Sequence, residues 1–344
     1  MRATSLPQAE YDLAIVGGGP AGICAALQFA ASSQRIALFD ENDRIGGQLL
    51  KQTHKFFGSS ATFSGLRGFQ IASLLEEKIR SVPITVFSGV KVWALDEKLT
   101  LWLKHPDYTA AVKCRALILA CGAKEKAVIF PGWTLPGVLY AGALQTMVNL
   151  WGVIPGRRVV ILGAGNVGLI VAYQLVQAGM EVVGIIEKKQ SIGGFQVHAN
   201  RIRRLGIPVF LDSELLAVEG GNQVEWALVR SAGKRVRFAV DVVCIAAGMN
   251  PQLELLRLLG GALGYDEARG GQVPLQDASL RILDKNVFVC GDMCGIEEAS
   301  IAMEEGKLAG LSARGLLGRG ESAELVEGIQ SAAERLRELR SGDK

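Results

Sequence analysis

Tyr11 to Asp40 reads YDLAIVGGGPAGICAALQFAASSQRIALFD, and this stretch decides the fold. Leu13–Val16 is a short, wholly apolar run, which marks a buried strand. It enters Gly17-x-Gly19-x-x-Gly22, where Pro20 and Ala21 open an Ala-rich segment of helical period. A second apolar run, Ile36–Phe39, ends on Asp40. Gly17 allows the tight turn, Gly19 lets backbone approach a pyrophosphate, and Gly22 lets the helix pack close to the strand. The helix N-terminus then offers free N–H groups to phosphate, and Asp40 stands at the spacing of an acid that accepts from an adenosine ribose. A lone glycine pattern of this kind is weak evidence. With a strand before it, a helix after it and an acid at the right distance, it predicts dinucleotide binding.

The plan recurs. Arg158–Leu162 predicts a strand running into Gly163-x-Gly165-x-x-Gly168, with Asn166 and Val167 opening the helix, and Glu181–Ile186 predicts the strand ending at Glu187. Asp40 lies 23 residues after Gly17, and Glu187 lies 24 after Gly163. Each acid is followed by Ile-Gly-Gly, as Ile45-Gly46-Gly47-Gln48 and as Ile192-Gly193-Gly194. Each half continues through a helix and a β-meander to a buried strand ending in Ala-x-Gly, Ala120-Cys121-Gly122 and Ala246-Ala247-Gly248. This is an internal duplication of one supersecondary plan. The fold expected is α/β, with two Rossmann-like dinucleotide-binding domains, the second inserted in the first, each with a small β-meander.

Between these marks, Leu66–Ile79 has the apolar period of an amphipathic helix, and residues 84–114 suggest short strands joined by polar turns, ahead of a separate strand Ala116–Ala120. Residues 130–156 are rich in Pro, Gly and aromatics and suggest a boundary. The domains expected are 1–130, an inserted domain 131–250, and 251–344 returning to the first. Asn286–Cys290 predicts a strand before Gly291-Asp292, followed by a helix from about Glu297 to Leu311. Leu325, Val326, Ile329, Leu336 and Leu339 form an apolar stripe on a charged terminal helix, suited to docking on its own domain or on a partner subunit.

Composition limits the function classes. The chain has 344 residues, 49% hydrophobic and 21% charged, with a net charge of +3 and no basic stripe, so nucleic acid is not an expected partner. The longest apolar region, Val159–Val176, contains the second glycine cluster, and no transmembrane segment is expected. Residues 1–10 lack a signal-peptide core, and six cysteines without framework spacing point to a reducing, cytoplasmic location.

With both fingerprints placed, the chain resembles the two-dinucleotide-binding flavoproteins of the pyridine-nucleotide-disulfide reductase class, from Tyr11 to Gly310. The resemblance implies FAD in the first domain and NAD(H) or another adenine nucleotide in the second. It implies that Gly17, Gly19, Pro20, Ala21, Gly22, Asp40, Glu41 and Val90 hold the ADP half of FAD, and that Gly46, Gly47 and Gln48 lie along the flavin. Ala120, Cys121 and Gly122 take the place of the class's strand exit, and Gly291 and Asp292 of the motif that binds the ribityl chain. Gly163, Gly165, Asn166, Val167, Gly168 and Glu187 belong to the second nucleotide, with Glu187 favouring NAD over NADP and Lys188 and Lys189 blurring that preference. On spacing alone, Gly46-Gly47 suits a loop turn equally well.

FPGWTLPGV, residues 130–138, followed by AGALQTM, resembles more narrowly the FAD-containing subunits of heteromeric amino-acid and opine dehydrogenases: opine oxidase, hydroxyproline and proline dehydrogenases, hydrogen cyanide synthase and the sarcosine oxidase α chain. This implies an electron-transfer flavoprotein subunit beside a separate catalytic flavoprotein subunit, and a further partner in the form of an iron–sulfur subunit. The chain has no closely spaced cysteine set and is not expected to bind a cluster alone. No Cys-x-x-Cys pair follows Gly47, which disfavours a thiol relay, and Cys290 and Cys294 suit small buried residues. Three histidines lack metal-ligand spacing, and His198 suggests a surface polar contact or a neighbour of the second nucleotide. The alternatives are a stand-alone NADH:acceptor oxidoreductase and a nucleotide-binding scaffold without flavin.

Overall fold

A computed structural model describes residues 7–30, 34–56, 63–282, 285–318 and 322–341. The chain divides into two units. The first comprises 1–50, 55–124 and 250–344; the second comprises 51–54 and 125–249.

In the first unit, Glu10–Val16 pairs in parallel with Ile36–Asp40 on one side and with Thr109–Leu119 on the other. Ile84–Ser88 extends the parallel layer beyond Ile36–Asp40, where the sequence suggests part of a meander. Thr109–Leu119 is one strand of 11 residues, not a meander strand followed by a separate one. The reason lies in its two neighbours. Its first half pairs antiparallel with Thr100–Lys104 and alternates in burial, whereas Leu117–Leu119 pairs with Val287–Val289 and is buried on both faces. Lys91–Leu95 completes the antiparallel part. The late strand Val287–Val289 therefore returns the chain to the middle of the sheet it started.

One face of this sheet is covered by the helices Pro20–Phe29, Gly68–Arg80 and Ala299–Leu317. Gly68–Arg80 starts after Arg67, whose N–H donates to Gln70 Oε1 at 2.9 Å, so the helix begins two residues later than the apolar period suggests. Ala299–Leu317 runs six residues past the expected end and lies against Pro20–Phe29 at backbone contact. A Cβ at Gly306 would stand 2.1 Å from Ala21 O, and one at Gly310 would stand 2.3 Å from Ala25 O. The terminal helix, Ala323–Ser341, buries Leu325, Ala332 and Leu336 in the same core, so its stripe docks on its own unit.

The second unit has a five-stranded parallel sheet in the spatial order Val209–Phe210, Glu181–Ile186, Arg158–Leu162, Val242–Ile245, Val138–Tyr140. Asn166–Gln177 and Gln196–Arg204 pack on one face, and a three-stranded antiparallel meander, Ser213–Glu219, Trp226–Ser231 and Lys234–Ala239, stands beside the other. The Pro- and Gly-rich stretch 130–156 is folded into this unit and supplies the edge strand Val138–Tyr140 and the short helix Ala141–Gln145.

Candidate nucleotide sites

In both units the marked residues gather at the carboxyl ends of parallel strands, where an open α/β sheet binds its ligands. In the first, Gly17 follows Glu10–Val16, Asp40 ends its neighbour, Ala120-Cys121-Gly122 follows Thr109–Leu119, and Gly291-Asp292 follows Val287–Val289.

The glycines of the first loop have different causes. Gly17 has φ +107°, and a Cβ on it would lie 2.2 Å from Ala120 O. A Cβ on Gly22 would lie 1.9 Å from Gly17 O. The protein's own packing demands both. Gly19 is another matter: its Cβ would meet nothing nearer than Gly47 Cα at 4.0 Å. The second loop repeats this, with Gly163 against Ala246 O at 2.3 Å, Gly168 against Gly163 O at 2.0 Å, and nothing within 4 Å of Gly165. Each loop thus keeps a glycine facing open space at the N-terminus of a helix, Pro20–Phe29 in one and Asn166–Gln177 in the other. A cradle that a Cβ would fill fits an anionic diphosphate laid against backbone N–H groups.

The acids hold the loops. Asp40, 7% exposed, accepts from Gly18 N–H at 2.6 Å through Oδ2, and from Asn42 N–H and Nδ2 at 2.8 and 2.9 Å through Oδ1. Glu187 does the same for its loop, accepting from Ala164 N–H at 2.7 Å and Lys189 N–H at 2.9 Å. Carboxylates expected to face ribose therefore first clasp the backbone. Beside Asp40, Glu41 and Gln48 are exposed, while Val90 is buried and donates its N–H to Asp40 O at 2.9 Å. The Ile-Gly-Gly segments lie across the loops: Gly46 N–H donates to Gly18 O at 2.7 Å, and Gly193 and Gly194 N–H to Ala164 O at 3.2 and 3.1 Å. Gly47 touches Gly19, since a Cβ there would be 2.8 Å from Gly19 Cα. Gly46 at φ +123° and Gly47 at φ +53° make this segment a turn, and its backbone is packed on the first glycine loop. In the second loop Asn166 Oδ1 accepts from Phe195 N–H at 2.7 Å, and Val167 is half-buried behind it.

Ala120 N–H donates to Val16 O at 2.8 Å and Gly122 O accepts from Gln252 N–H at 3.0 Å, which fixes the strand exit. Burial pushes the Cys121 thiol up to about 12. Burial likewise lifts the Asp292 carboxyl to about 6, against the lowering effect of the Glu297 N–H it accepts. The neighbouring Gly291 donates its N–H to Glu305 Oε2 at 2.7 Å, and Glu305 is 1% exposed. No sequence motif marks Glu305, although it lies one turn from both Ile301 and Ala309 on the buried stripe of its helix.

All six cysteines are free. Cys290 and Cys294 are buried with thiols pushed well above the ordinary value by desolvation, so neither is a thiolate near neutral pH. His198 is buried rather than at the surface, its ring stacked between Tyr173 and Phe195 and at right angles to His54. Burial, His198 and Arg201 push His54 down to about 4. Among the described residues no group of His, Cys, Asp and Glu could hold a metal ion, and no helix is long and apolar enough to cross a membrane.

Known proteins carry the same plan. An opine oxidase subunit of Agrobacterium tumefaciens is 28% identical over 330 residues, 88% of this chain and 65% of that protein, so the chain spans under two thirds of this relative's length. Hydrogen cyanide synthase subunit HcnB of Pseudomonas protegens is 28% identical over 87% of this chain and 69% of its own. The alpha subunit of sarcosine oxidase from Rhizobium meliloti is 28% identical over 74% of this chain and 26% of its own. In fold, the chain is similar to L-proline dehydrogenase from P. horikoshii (TM-score 0.76, 23% identity, 96% of this chain and 59% of that one). It is also similar to T. acidophilum thioredoxin reductase (TM-score 0.74, 21% identity, 89% and 98%). A family model matches residues 11–306, both cradles included and the terminal helix excluded. That match, with the duplicated loops behind it, makes the chain a member of the pyridine nucleotide-disulphide oxidoreductase family.

Proposed function

We propose that the chain is the FAD-carrying electron-transfer subunit of a multi-subunit dehydrogenase acting on an amino or imino acid of the proline, hydroxyproline, opine or sarcosine kind. One observation carries this reading: the chain has two cradles of one construction, each with a glycine facing open space, and no primed thiol in either unit. A family of oxidoreductases that implies FAD and a pyridine nucleotide suits the cradles; the buried, protonated cysteines do not suit disulfide exchange. The subunit role is supported by relatives that are themselves named as subunits.

In this reading Gly19, Pro20 and Ala21 take the pyrophosphate of FAD, Asp40 holds the loop in shape, and Glu41 meets the adenosine ribose. Asp292, at the end of Val287–Val289, takes the ribityl hydroxyls. Its carboxyl is poised near 6, so it changes charge close to neutrality and can either accept or donate there. Bound FAD supplies two-electron acceptance and its onward passage. A partner subunit with its own active site performs C–N oxidation, and an iron–sulfur subunit is the fitting outlet. The second cradle takes an adenine nucleotide. Glu187 holds this loop as Asp40 holds the first, and its charge, set against Lys188 and Lys189, disfavours a 2′-phosphate, which suits NAD(H); six free cysteines suit a cytoplasmic setting.

A second reading rests on Gly165. If that cradle works with NADH, the chain by itself is an NADH:acceptor oxidoreductase. Denatured protein should release about one FAD per chain. With an artificial dye acceptor, the purified chain should be inactive toward NADH and gain proline-, sarcosine- or opine-dependent dye reduction only when co-purified with its native partners. Turnover of NADH by the chain alone would favour the second reading, and absence of flavin after reconstitution would sink both.

A further inference from the structure

Behind the Gly291-Asp292 turn lies a charge cluster that the site as described does not use. Glu305 is buried at 1% exposure, with Oε2 accepting the Gly291 N–H at 2.7 Å. Its other oxygen, Oε1, accepts from Arg340 Nη2 at 2.6 Å, and Arg340 comes from the last turn of the terminal helix. The same guanidinium grips Glu297, by Nε to Oε1 at 3.0 Å and Nη2 to Oε2 at 2.6 Å. Arg269 approaches from the other side, with Nη2 3.3 Å from Glu297 Oε2 and 3.9 Å from Glu305 Oε1. Asp292 and the thiols of Cys290 and Cys294 also stand around this turn, and the thiols of Cys24 and Cys121 face Cys290.

A carboxylate taken this far from water is costly unless a cation and hydrogen bonds offset the lost hydration. A planar guanidinium spans two carboxylates with donors held in a fixed fork, whereas an ammonium offers three donors from a single point and fixes their geometry less well. We propose that Arg340 is a positioning residue for the first cradle: it holds Glu305 as the buried carboxylate that anchors the Gly291 N–H, and so sets the turn that presents Asp292. The inference rests on the reading that this cradle holds FAD.

Five forms of the full chain test it: wild type, Arg340→Gln, Arg340→Lys, Glu305→Gln and the double Arg340→Gln, Glu305→Gln variant. FAD affinity of the stripped protein is read by flavin fluorescence, and thermal midpoints are read from pH 6 to pH 8.5. Arg340→Gln leaves a buried carboxylate without its main cation, so FAD should bind about tenfold more weakly at pH 8. Its midpoint deficit should shrink at pH 6, because desolvation already lifts Glu305 to about 7 and protonation removes the unpaired charge. Arg340→Lys should recover part of the loss. Glu305→Gln keeps an acceptor for Gly291 and needs no cation, so the double variant should bind FAD within about threefold of wild type. An arginine that merely stapled the helix would give additive losses with no rescue and no pH window, and that result overturns the proposal; so does wild-type affinity in Arg340→Gln. If wild type binds no FAD, the reading of the cradle fails, while rescue of the midpoint and its pH window still decide whether Arg340 acts through Glu305.

Discussion

The two units repeat one device with one residue of difference, and the difference has a structural cause. From the glycine turn to the acid there are 23 residues in the first and 24 in the second. The extra residue is a bulge in Glu181–Ile186, where pairing with Arg158–Leu162 slips between Val182 and Gly184. Beyond the bulge the register recovers: Phe39 pairs with Val16 as Ile186 pairs with Leu162, and the next residue in each is the acid. Both acids then reach the middle residue of Gly-x-Gly, Gly18 at 2.6 Å and Ala164 at 2.7 Å. Gly18 must be bare, since a Cβ would strike Ile45 Cγ2 at 2.7 Å, whereas the second loop accommodates an alanine. What the copies share is dictated by close packing. What sets them apart is the chemistry around the cradle, with Glu41, Asn42 and Asp43 after one acid and Lys188 and Lys189 after the other. The Gly291-Asp292 turn adds a third element to the first cradle.

The sharpest way to break this comparison is at the glycines that packing demands. Gly17→Ala and Gly163→Ala each drive a methyl into a carbonyl oxygen from a backbone conformation that L side chains rarely adopt. Each should cost roughly 4 kcal/mol or more. Chemical denaturation of each variant checks this, and a loss below about 1 kcal/mol in either would mean that the loop can open without harm.

The glycines facing open space should behave differently. Gly19→Val should weaken FAD binding roughly 10- to 100-fold while leaving the unfolding midpoint nearly unchanged. Gly165→Val should spare flavin content and weaken only the second nucleotide, read by calorimetric titration with NADH and with ATP. Equal effects of the two substitutions on FAD would erase the distinction between the cradles.

Smaller, and opposite in sign, are the pH responses of the two units. His54 is depressed in the fold to about 4, so its contribution is fully present above its unfolded value near 6.5 and is lost as pH falls from there through 4. Asp292 is raised to about 6, so its contribution is present below its unfolded value near 3.8 and is lost as pH rises through 6. His54→Leu should therefore narrow the gap in thermal midpoint between pH 7.5 and pH 5 by about 2–4 °C. An unchanged gap would mean that another group governs the acid limb.

Much of this architecture could be seen in the residues themselves. A short apolar run that stops at a glycine turn favours a buried strand, and a glycine between such a run and a helix has few reasons to exist, so the duplicated loops, their acids and the Ile-Gly-Gly segments were all visible in one dimension. Local chemistry sufficed because each feature is made by residues adjacent in the chain. Tertiary structure decided the rest: that Asp40 and Glu187 clasp backbone N–H groups, that His198 is buried between aromatic rings, and that Thr109–Leu119 is one strand serving two kinds of neighbour. It alone brought Arg340 to Glu305 across 35 residues, because a buried carboxylate's partner is chosen by where low dielectric makes an unpaired charge costly, and no local spacing records that place.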